Sequence, residues 1–172
     1  MDLRYPIGHY GPQQYSVQQK NKWLSDLAKL PNMLEAAILN LDEEQLQTPY
    51  RPGGWTVQQV VHHVADSHIN AFCRMKLILS EENPTVRPYE EAIWAEQADV
   101  SLPINISITL LHALHLRMHA LMQAVADEGW ERTYIHPATG QQYTLWYLLG
   151  NYAWHGLHHV AHIASLRDRM GW

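Results

Sequence analysis

Apolar residues recur at intervals of three and four along four long stretches of this chain, as in amphipathic helices that bury one face. The stretches cover Tyr15 to Asn40, Thr56 to about Ser80, Pro103 to Glu128, and Leu145 to Met170. Four helices with connections of this size pack as a bundle. The pattern therefore predicts an all-α fold, a four-helix bundle.

The residues at the ends of these stretches are typical of helix ends. Thr56 and Gln59 form a capping-box pair, and Thr144 is an N-cap residue in front of the fourth stretch. Gly129 and Gly171 follow the third and fourth stretches, where glycine commonly ends a helix. Pro31 lies inside the first stretch, which we therefore interpret as one long or broken helix.

Two connections are long enough to carry structure of their own. Residues 81–100 contain Pro84 and Pro88, and only Tyr89 to Ala98 is suited to a turn or two of helix. Residues 130–144 alternate polar and apolar side chains around a Pro-Ala-Thr-Gly turn. We expect a small β-hairpin there, between the third and fourth helices.

The composition limits the class of protein. With 172 residues, 47% of them apolar, we expect a single domain that covers residues 1–172. A net charge of -5 without a Lys/Arg cluster argues against nucleic acid or a membrane as partner. The sequence has no signal peptide and no apolar run long enough to span a bilayer, so we expect a cytoplasmic protein. The single cysteine, Cys73, excludes a cysteine-based metal site.

Histidine is the unusual component, with twelve copies in the chain. The fourth stretch contains two pairs four residues apart, His155 with His159 and His158 with His162. Residues four apart share a helix face, so either pair could bind one metal ion. The first pair lies on the stripe that includes Leu148, Tyr152, Ile163 and Leu166, and it is the pair expected to face the bundle interior.

The second stretch poses the same question with a doublet. His63 shares its side with Val60 and Val64, whereas His62 shares its side with Gln59 and Asp66. We therefore expect His63 to point inward. Inward histidines on facing helices are one way in which bundles build metal sites, and three histidine ligands leave positions open for water or substrate.

The third stretch contributes three further histidines. His115 lies on the apolar stripe and could line a cavity, whereas His112 and His119 flank the stripe and are expected to meet solvent. The alternative for every inward histidine is a hydrogen-bonded core residue that binds no metal. Spacing alone does not decide between the two interpretations.

Two segments resemble a known family. Residues 53–67 read GGWTVQQVVHHVADS and residues 152–163 read YAWHGLHHVAHI, and both resemble the DinB superfamily, in particular its YfiT-like branch of metal-dependent hydrolases. Further likeness lies at residues 5–8 and 84–94. The resemblance implies an up-down-down-up bundle, a homodimer, and one divalent metal ion held by His63, His155 and His159. Zinc is the expected ion, with nickel, iron or manganese as alternatives.

Three hypotheses about function follow. The first is a metal-dependent hydrolase acting on a small molecule, with Glu90 or Asp66 available as a general base but neither assigned. The second is a low-molecular-weight-thiol transferase of the bacillithiol type, for which Arg74 or Arg87 should point at the metal. The third is a non-catalytic bundle whose fourth coordination position is closed by His115 or a carboxylate.

Several other side chains could support such a site. Trp94, in the loop with Tyr89 and Glu90, could cover it. The side chains that could orient the imidazoles or contact substrate are Asp66, Asn70, Arg74 and Asn151. We expect Trp55, Trp146 and Trp154 to be packing residues.

Overall fold

The computed structural model describes residues 2–172 and contains four long helices. They are α1 (Val17–Ile38), α3 (Val57–Ser80), α5 (Asn105–Gln123) and α6 (Leu145–Met170). The connections contain the short helices α2 (Glu43–Leu46) and α4 (Glu91–Trp94), two 3-10 turns (Ala98–Ser101 and Asp127–Glu131), and the strands β1 (Thr133–His136) and β2 (Gln141–Thr144). The predicted all-α bundle and its small hairpin are confirmed.

Helices α3 and α6 begin and end where the sequence predicts. The Thr56 hydroxyl accepts a hydrogen bond from the Gln59 backbone N–H, and the Gln59 side chain accepts one from the Thr56 backbone N–H. Thr144 caps α6 in the same way through the Tyr147 backbone N–H. Gly171 ends α6 with φ = 72°, a left-handed conformation that glycine adopts without strain.

The structure selects one of the two alternatives for the first helix and corrects the predicted end of the third. α1 continues through Pro31 without a break, so the first stretch is one helix. The third helix ends at Gln123 rather than at Glu128, because residues 127–131 form a 3-10 turn that carries Trp130 into the core. Trp130 is fully buried there and meets Trp146 edge to face, with ring centroids 6.0 Å apart.

The order of the helices around the bundle is not their order along the chain. α1 packs against α5 and α6, and α3 also packs against α5 and α6. α1 and α6 are parallel, since Trp146 donates to the Gln13 carbonyl near their starts and Arg167 donates to the Ala37 carbonyl near their ends.

The remaining contacts fix the other two directions. α5 is antiparallel to α1, because His115 donates to the Leu27 carbonyl and His112 pairs with Glu35. α3 is parallel to α5, since His62 contacts Ser107 and His68 stacks on His115. These directions give the up-down-down-up order that the family resemblance implied. α3 and α6 are therefore antiparallel neighbours.

The distance between α1 and α6 depends on a glycine. A Cβ atom at Gly156 would collide with the side chain of Leu30, which is itself buried. Gly156 follows His155 directly, so the same close contact sets the depth of that part of α6. Among the described residues, no helix is both long and apolar enough to span a membrane.

We expect Gly156→Ala to lower the free energy of unfolding by about 1–3 kcal/mol, because the added methyl overpacks the interface between α1 and α6. Alanine is the better helix former by about 1 kcal/mol, so a net loss identifies the steric term. Chemical denaturation measures the change. Gly11→Ala is the control for a glycine-to-alanine change without steric conflict, since Gly11 lies before α1 and a Cβ there meets no atom within 4 Å.

The steric origin can be tested by pairing the change with Leu30→Ala. The double variant should lose less stability than the sum of the two single changes, because the smaller side chain makes room for the methyl. Additive losses would show that Leu30 is not the obstacle.

Candidate metal centre

Three histidines from two helices converge in the bundle. His63 comes from α3, and His155 and His159 lie one turn apart in α6. Each offers one ring nitrogen, and the three nitrogens lie within 4.8 Å of one another. His63 and His155 are 92 positions apart in sequence. The antiparallel packing of α3 against α6 brings them together.

The three imidazoles are neutral at neutral pH. Burial lowers the pKa of His63 to about 4, and burial together with neighbouring histidines holds the pKa values of His155 and His159 well below the ordinary value. Neutral imidazole is the form in which histidine binds metals. The ring nitrogens therefore have lone pairs available.

The spacing of the nitrogens suits a metal ion. Nε2 of His63 lies 3.3 Å from Nε2 of His155. Nitrogen ligands about 2.0–2.1 Å from a tetrahedral ion lie about 3.3 Å from one another. The donor set consists of neutral nitrogens, so the residues present fit zinc and the other divalent ions that histidine binds.

The histidine group lies at the wall of a pocket of 360 Å³. Among the side chains that line it, Tyr5, Tyr50, Trp55 and Trp154 are aromatic, Arg4, Arg51 and Glu91 carry charge, and His158 and His162 are two more histidines. Small-molecule sites are commonly of this size and are rich in aromatic side chains. The group thus borders a space that a small molecule could enter.

Aromatic rings hold the histidines of the pocket in place. Trp55 packs on His63 with ring centroids 4.5 Å apart, and Trp154 stacks on His158 at 4.4 Å. The sequence predicts Trp55 and Trp154 as packing residues, but both are only half-buried and both line the pocket. Trp146 lies in the core.

The segment before α1 forms one side of the pocket. Arg4 and Tyr5 line it, and the indole of Trp154 donates to the Gly8 carbonyl at 3.2 Å. The sequence resemblance includes residues 5–8. Helical periodicity gave no reason to place them at the site, because the segment is irregular.

The neighbouring histidines fall outside the three-histidine group. The sequence predicts His62 on the polar side of α3, but it is buried and hydrogen-bonds Ser107 and the Leu102 carbonyl. This prediction was wrong, because α5 covers that side of the helix. His158 and His162 line the pocket without belonging to the group.

The predictions for the histidines of the third helix are confirmed in part. His112 is exposed, as expected, while His119 is half-buried. His115 is buried but does not line the pocket, because it lies behind His68, on which it stacks at 4.9 Å. His68 was not predicted, although it lies on the apolar stripe of α3 with Val64, Ala71 and Met75.

The loop residues proposed to support the site lie elsewhere. Trp94 borders a separate pocket with Asp66, Gln97 and Asp99, and does not cover the histidines. Glu90 is exposed and does not line the histidine pocket, whereas its neighbour Glu91 does.

The polar residues expected to orient the ligands have other partners. Asn70 donates to the Asp66 carbonyl. Arg74 donates to the Tyr152 hydroxyl and to the Arg87 carbonyl. No hydrogen bond joins Asp66, Asn70, Arg74 or Asn151 to the three histidines in the part of the chain that the structure describes.

An up-down-down-up bundle with three converging imidazoles defines a class of helical proteins that build a polar site from inward side chains. The chain belongs to the DinB superfamily, whose model matches residues 26–163. The resemblance seen in the sequence is thereby confirmed.

Relatives in several bacilli align over almost the whole chain. Proteins of Bacillus cereus strain B4264 and Bacillus thuringiensis subsp. konkukian strain 97-27 are 49% identical over 172 residues, 99% of each chain, and both carry the name "putative metal-dependent hydrolase". The structure of YfiT from Bacillus subtilis superposes with a TM-score of 0.97 at 46% identity, covering 100% of this chain and 99% of that one. YfiT is described as "a probable metal-dependent hydrolase with an unusual four-helix bundle topology".

Buried neutral histidines should make the metal-free protein sensitive to acid. Burial lowers the pKa of His115 to about 4, so below pH 6.5 the unfolded chain takes up a proton that the folded chain refuses. Stability is therefore lost as pH falls from 6.5. We expect the protonation of this histidine alone to lower the free energy of unfolding by about 1–2 kcal/mol between pH 6.5 and 5.

Urea unfolding of metal-free protein at pH 7.5, 6.5, 5.5 and 5.0 measures the effect, with His115→Asn as the comparison. Asparagine can keep the hydrogen bond to the Leu27 carbonyl but cannot be protonated. The variant should lose less stability on acidification than the wild type. Equal losses would contradict the assignment. Burial raises the pKa of Asp66 to about 6, so this carboxyl favours the folded state as pH falls. Its contribution is the same in the wild type and the variant and therefore cancels in the comparison.

Proposed function

We propose that this protein is a hydrolase that uses one divalent metal ion, zinc, held by His63, His155 and His159. The observation that carries the proposal is the convergence of three neutral ring nitrogens, within 4.8 Å of one another, beside a pocket of 360 Å³. The names of the Bacillus relatives support it. Nickel, iron and manganese are the alternatives for the ion.

A divalent ion bound by three imidazoles acidifies water and polarises a carbonyl or phosphoryl oxygen. The chain supplies the remaining functions. Trp55 and Trp154 exclude water from part of the pocket wall and offer faces on which an apolar substrate group can pack. We assign the general base to Glu91, the carboxylate that lines the pocket among the described residues, in place of Glu90 or Asp66.

The substrate is a small molecule in this proposal. A pocket of 360 Å³ lies within the range of small-molecule sites, about 300–1,000 Å³. The homodimer, the cytoplasmic location and the absence of a nucleic-acid partner stay predictions from the sequence.

A thiol transferase is the second candidate, and the arginines bear on it. Arg74 and Arg87 do not line the pocket, so the form of this hypothesis that relied on them loses support. Arg4 and Arg51 do line it. Their positive charges suit an anionic co-substrate, so the transferase is kept as the alternative.

The non-catalytic bundle is the weakest of the three. It requires a fourth position closed by His115 or a carboxylate, with no pocket beside the ion. His115 lies behind His68, and the histidine group borders the pocket. Both observations weigh against a purely structural role.

Metal analysis tests the ligand set. Protein purified without a nickel column should contain about one ion per chain, and His63→Ala, His155→Ala and His159→Ala should each lose it, because two imidazoles bind far more weakly than three. Plasma mass spectrometry gives the content and identifies the metal. His112→Ala, an exposed histidine of α5, should keep the ion. Retention of the ion by all three alanine variants would overturn the ligand set.

Activity tests the reaction. The metal-loaded protein should hydrolyse members of a panel of carboxylic esters, amides and phosphate esters. We expect Glu91→Gln to lower the rate by about 10²–10⁴-fold with metal content unchanged, because it removes the proton acceptor. Glu90→Gln is the matched control, as its side chain lies outside the pocket. Conjugation of bacillithiol to an electrophile without hydrolysis of the panel would select the transferase instead.

A further inference from the structure

A second histidine stands behind each of the two ligands of α6. Nδ1 of His159 lies 3.4 Å from Nδ1 of His162, and Nε2 of His162 lies 3.0 Å from the Arg4 carbonyl oxygen. The carbonyl can only accept, so Nε2 of His162 carries the hydrogen. Neutral His162 then accepts at Nδ1, and His159 must donate from its own Nδ1. Nε2 of His159 is left bare.

The arrangement around His155 has the same logic. Its Nε2 faces Nε2 of His63, and its Nδ1 lies 3.3 Å from Nε2 of His68. An imidazole that binds an ion through Nε2 carries its hydrogen on Nδ1. His155 therefore donates to His68, whose own hydrogen lies on Nδ1.

We propose that His68 and His162 are positioning residues, which set the tautomer and ring orientation of the metal ligands His155 and His159 by accepting their Nδ1–H hydrogen bonds. This inference rests on the proposed metal site and adds two residues to it. Partners of this kind orient ligands in metal sites generally, and their loss costs about 10–100-fold in metal affinity.

The core holds His68 rigidly. Its ring is fully buried, stacks on His115 with centroids 4.9 Å apart, and meets the edge of Tyr152 at 5.3 Å. His115 is anchored in turn by its 2.6 Å hydrogen bond to the Leu27 carbonyl. A buried ring that stacks on one neighbour and makes an edge contact with another is hindered from turning away from His155, which is what a positioning role requires.

One ring nitrogen of His68 is buried at a cost in free energy. Its Nδ1 atom is buried without a hydrogen-bond partner among the described residues. A buried donor without a partner costs about 1–3 kcal/mol, and such groups in native structures call for an explanation. An apolar side chain would avoid this cost but could not accept from His155. The positioning role therefore explains why a histidine stands here.

His162 connects its ligand to the segment before α1. Its ring stacks on Tyr50 with centroids 4.0 Å apart, and its partner Arg4 lies in a segment fixed to α6 by the Trp154–Gly8 hydrogen bond. Contacts from the Arg4 carbonyl through His162 to His159 thus connect the irregular segment to the proposed metal site. That segment is a structural part of the site in addition to being a wall of the pocket.

Both acceptors are neutral imidazoles rather than carboxylates. Carboxylate partners make a histidine ligand more basic and offset part of the charge of the ion. Neutral partners do not offset the charge of the ion. The ion in this site would therefore act as a stronger Lewis acid than one supported by carboxylates.

Substitutions that keep or remove the acceptor test the proposal. His68→Leu and His162→Leu should each raise the dissociation constant for zinc by about 10–100-fold, measured by competition with a chromophoric chelator. His68→Gln places an amide oxygen near the position of Nε2, and His162→Asn places one near Nδ1. These two variants should recover most of the lost affinity.

A second measurement needs no metal. Nitrogen chemical shifts of metal-free protein should show His159 with its hydrogen on Nδ1 in the wild type and in His162→Asn, but not in His162→Leu. His62→Leu is the matched control for affinity, because His62 is buried in α3 with both hydrogen bonds outside the site. Thermal unfolding of each metal-free variant identifies any that fail to fold.

The outcomes separate the two proposals. If the wild type binds no zinc, the proposed function fails and this inference fails with it. If the wild type binds zinc and the folded leucine variants bind it equally well, only the positioning role is overturned. The positioning role is also overturned if His62→Leu weakens binding as much as they do, or if His159 carries its hydrogen on Nε2 in the metal-free wild type.

Discussion

The antiparallel packing of α3 against α6 is the contact on which the site depends. His63 can meet His155 and His159 only at one register of these two helices, and the register is fixed from outside the pair. α1 sets the position of α6 through the contact between Leu30 and Gly156, and α5 packs along α3 with Leu111 buried in the core that the two helices share. The up-down-down-up order matters because it makes α3 and α6 neighbours.

This construction places many imidazoles in a low-polarity interior, and that is costly. Burial keeps them neutral, which removes their charge as a source of stability and leaves nitrogen atoms that need partners. Some partners are backbone carbonyls, as for His115 and His162, and some are other imidazoles. A bundle selected for stability alone would place leucine at such positions, so the density of histidine itself indicates a functional purpose.

The features that were predicted correctly from the sequence are those that depend on residues close together in the chain. Thr56 and Thr144 cap their helices through hydrogen bonds within three residues, and the stripe of α6 separated His155 and His159 from His158 and His162. The features that were missed depend on distant contacts. Trp130 shortens the third helix by entering the core, α5 buries His62, and His68 hides His115 from the pocket. Glu91 rather than Glu90 lines the pocket, and this depends on the path of the loop and of the short helix α4, which sequence periodicity does not predict.

The histidines lie on helices, whereas several other residues of the pocket lie on irregular segments. This difference suggests how the substrate specificity of such a site can change. The three proposed metal ligands and His68 lie on long helices, where packing holds them within narrow limits. Arg4, Tyr5, Arg51 and Glu91 line the same pocket from the segments before α1 and α3 and from the first turn of α4. Irregular segments tolerate substitution and insertion far better than a packed core. Metal chemistry can therefore be kept while charge and shape at the pocket mouth change, so substrate identity should be sought in those segments rather than in the histidines.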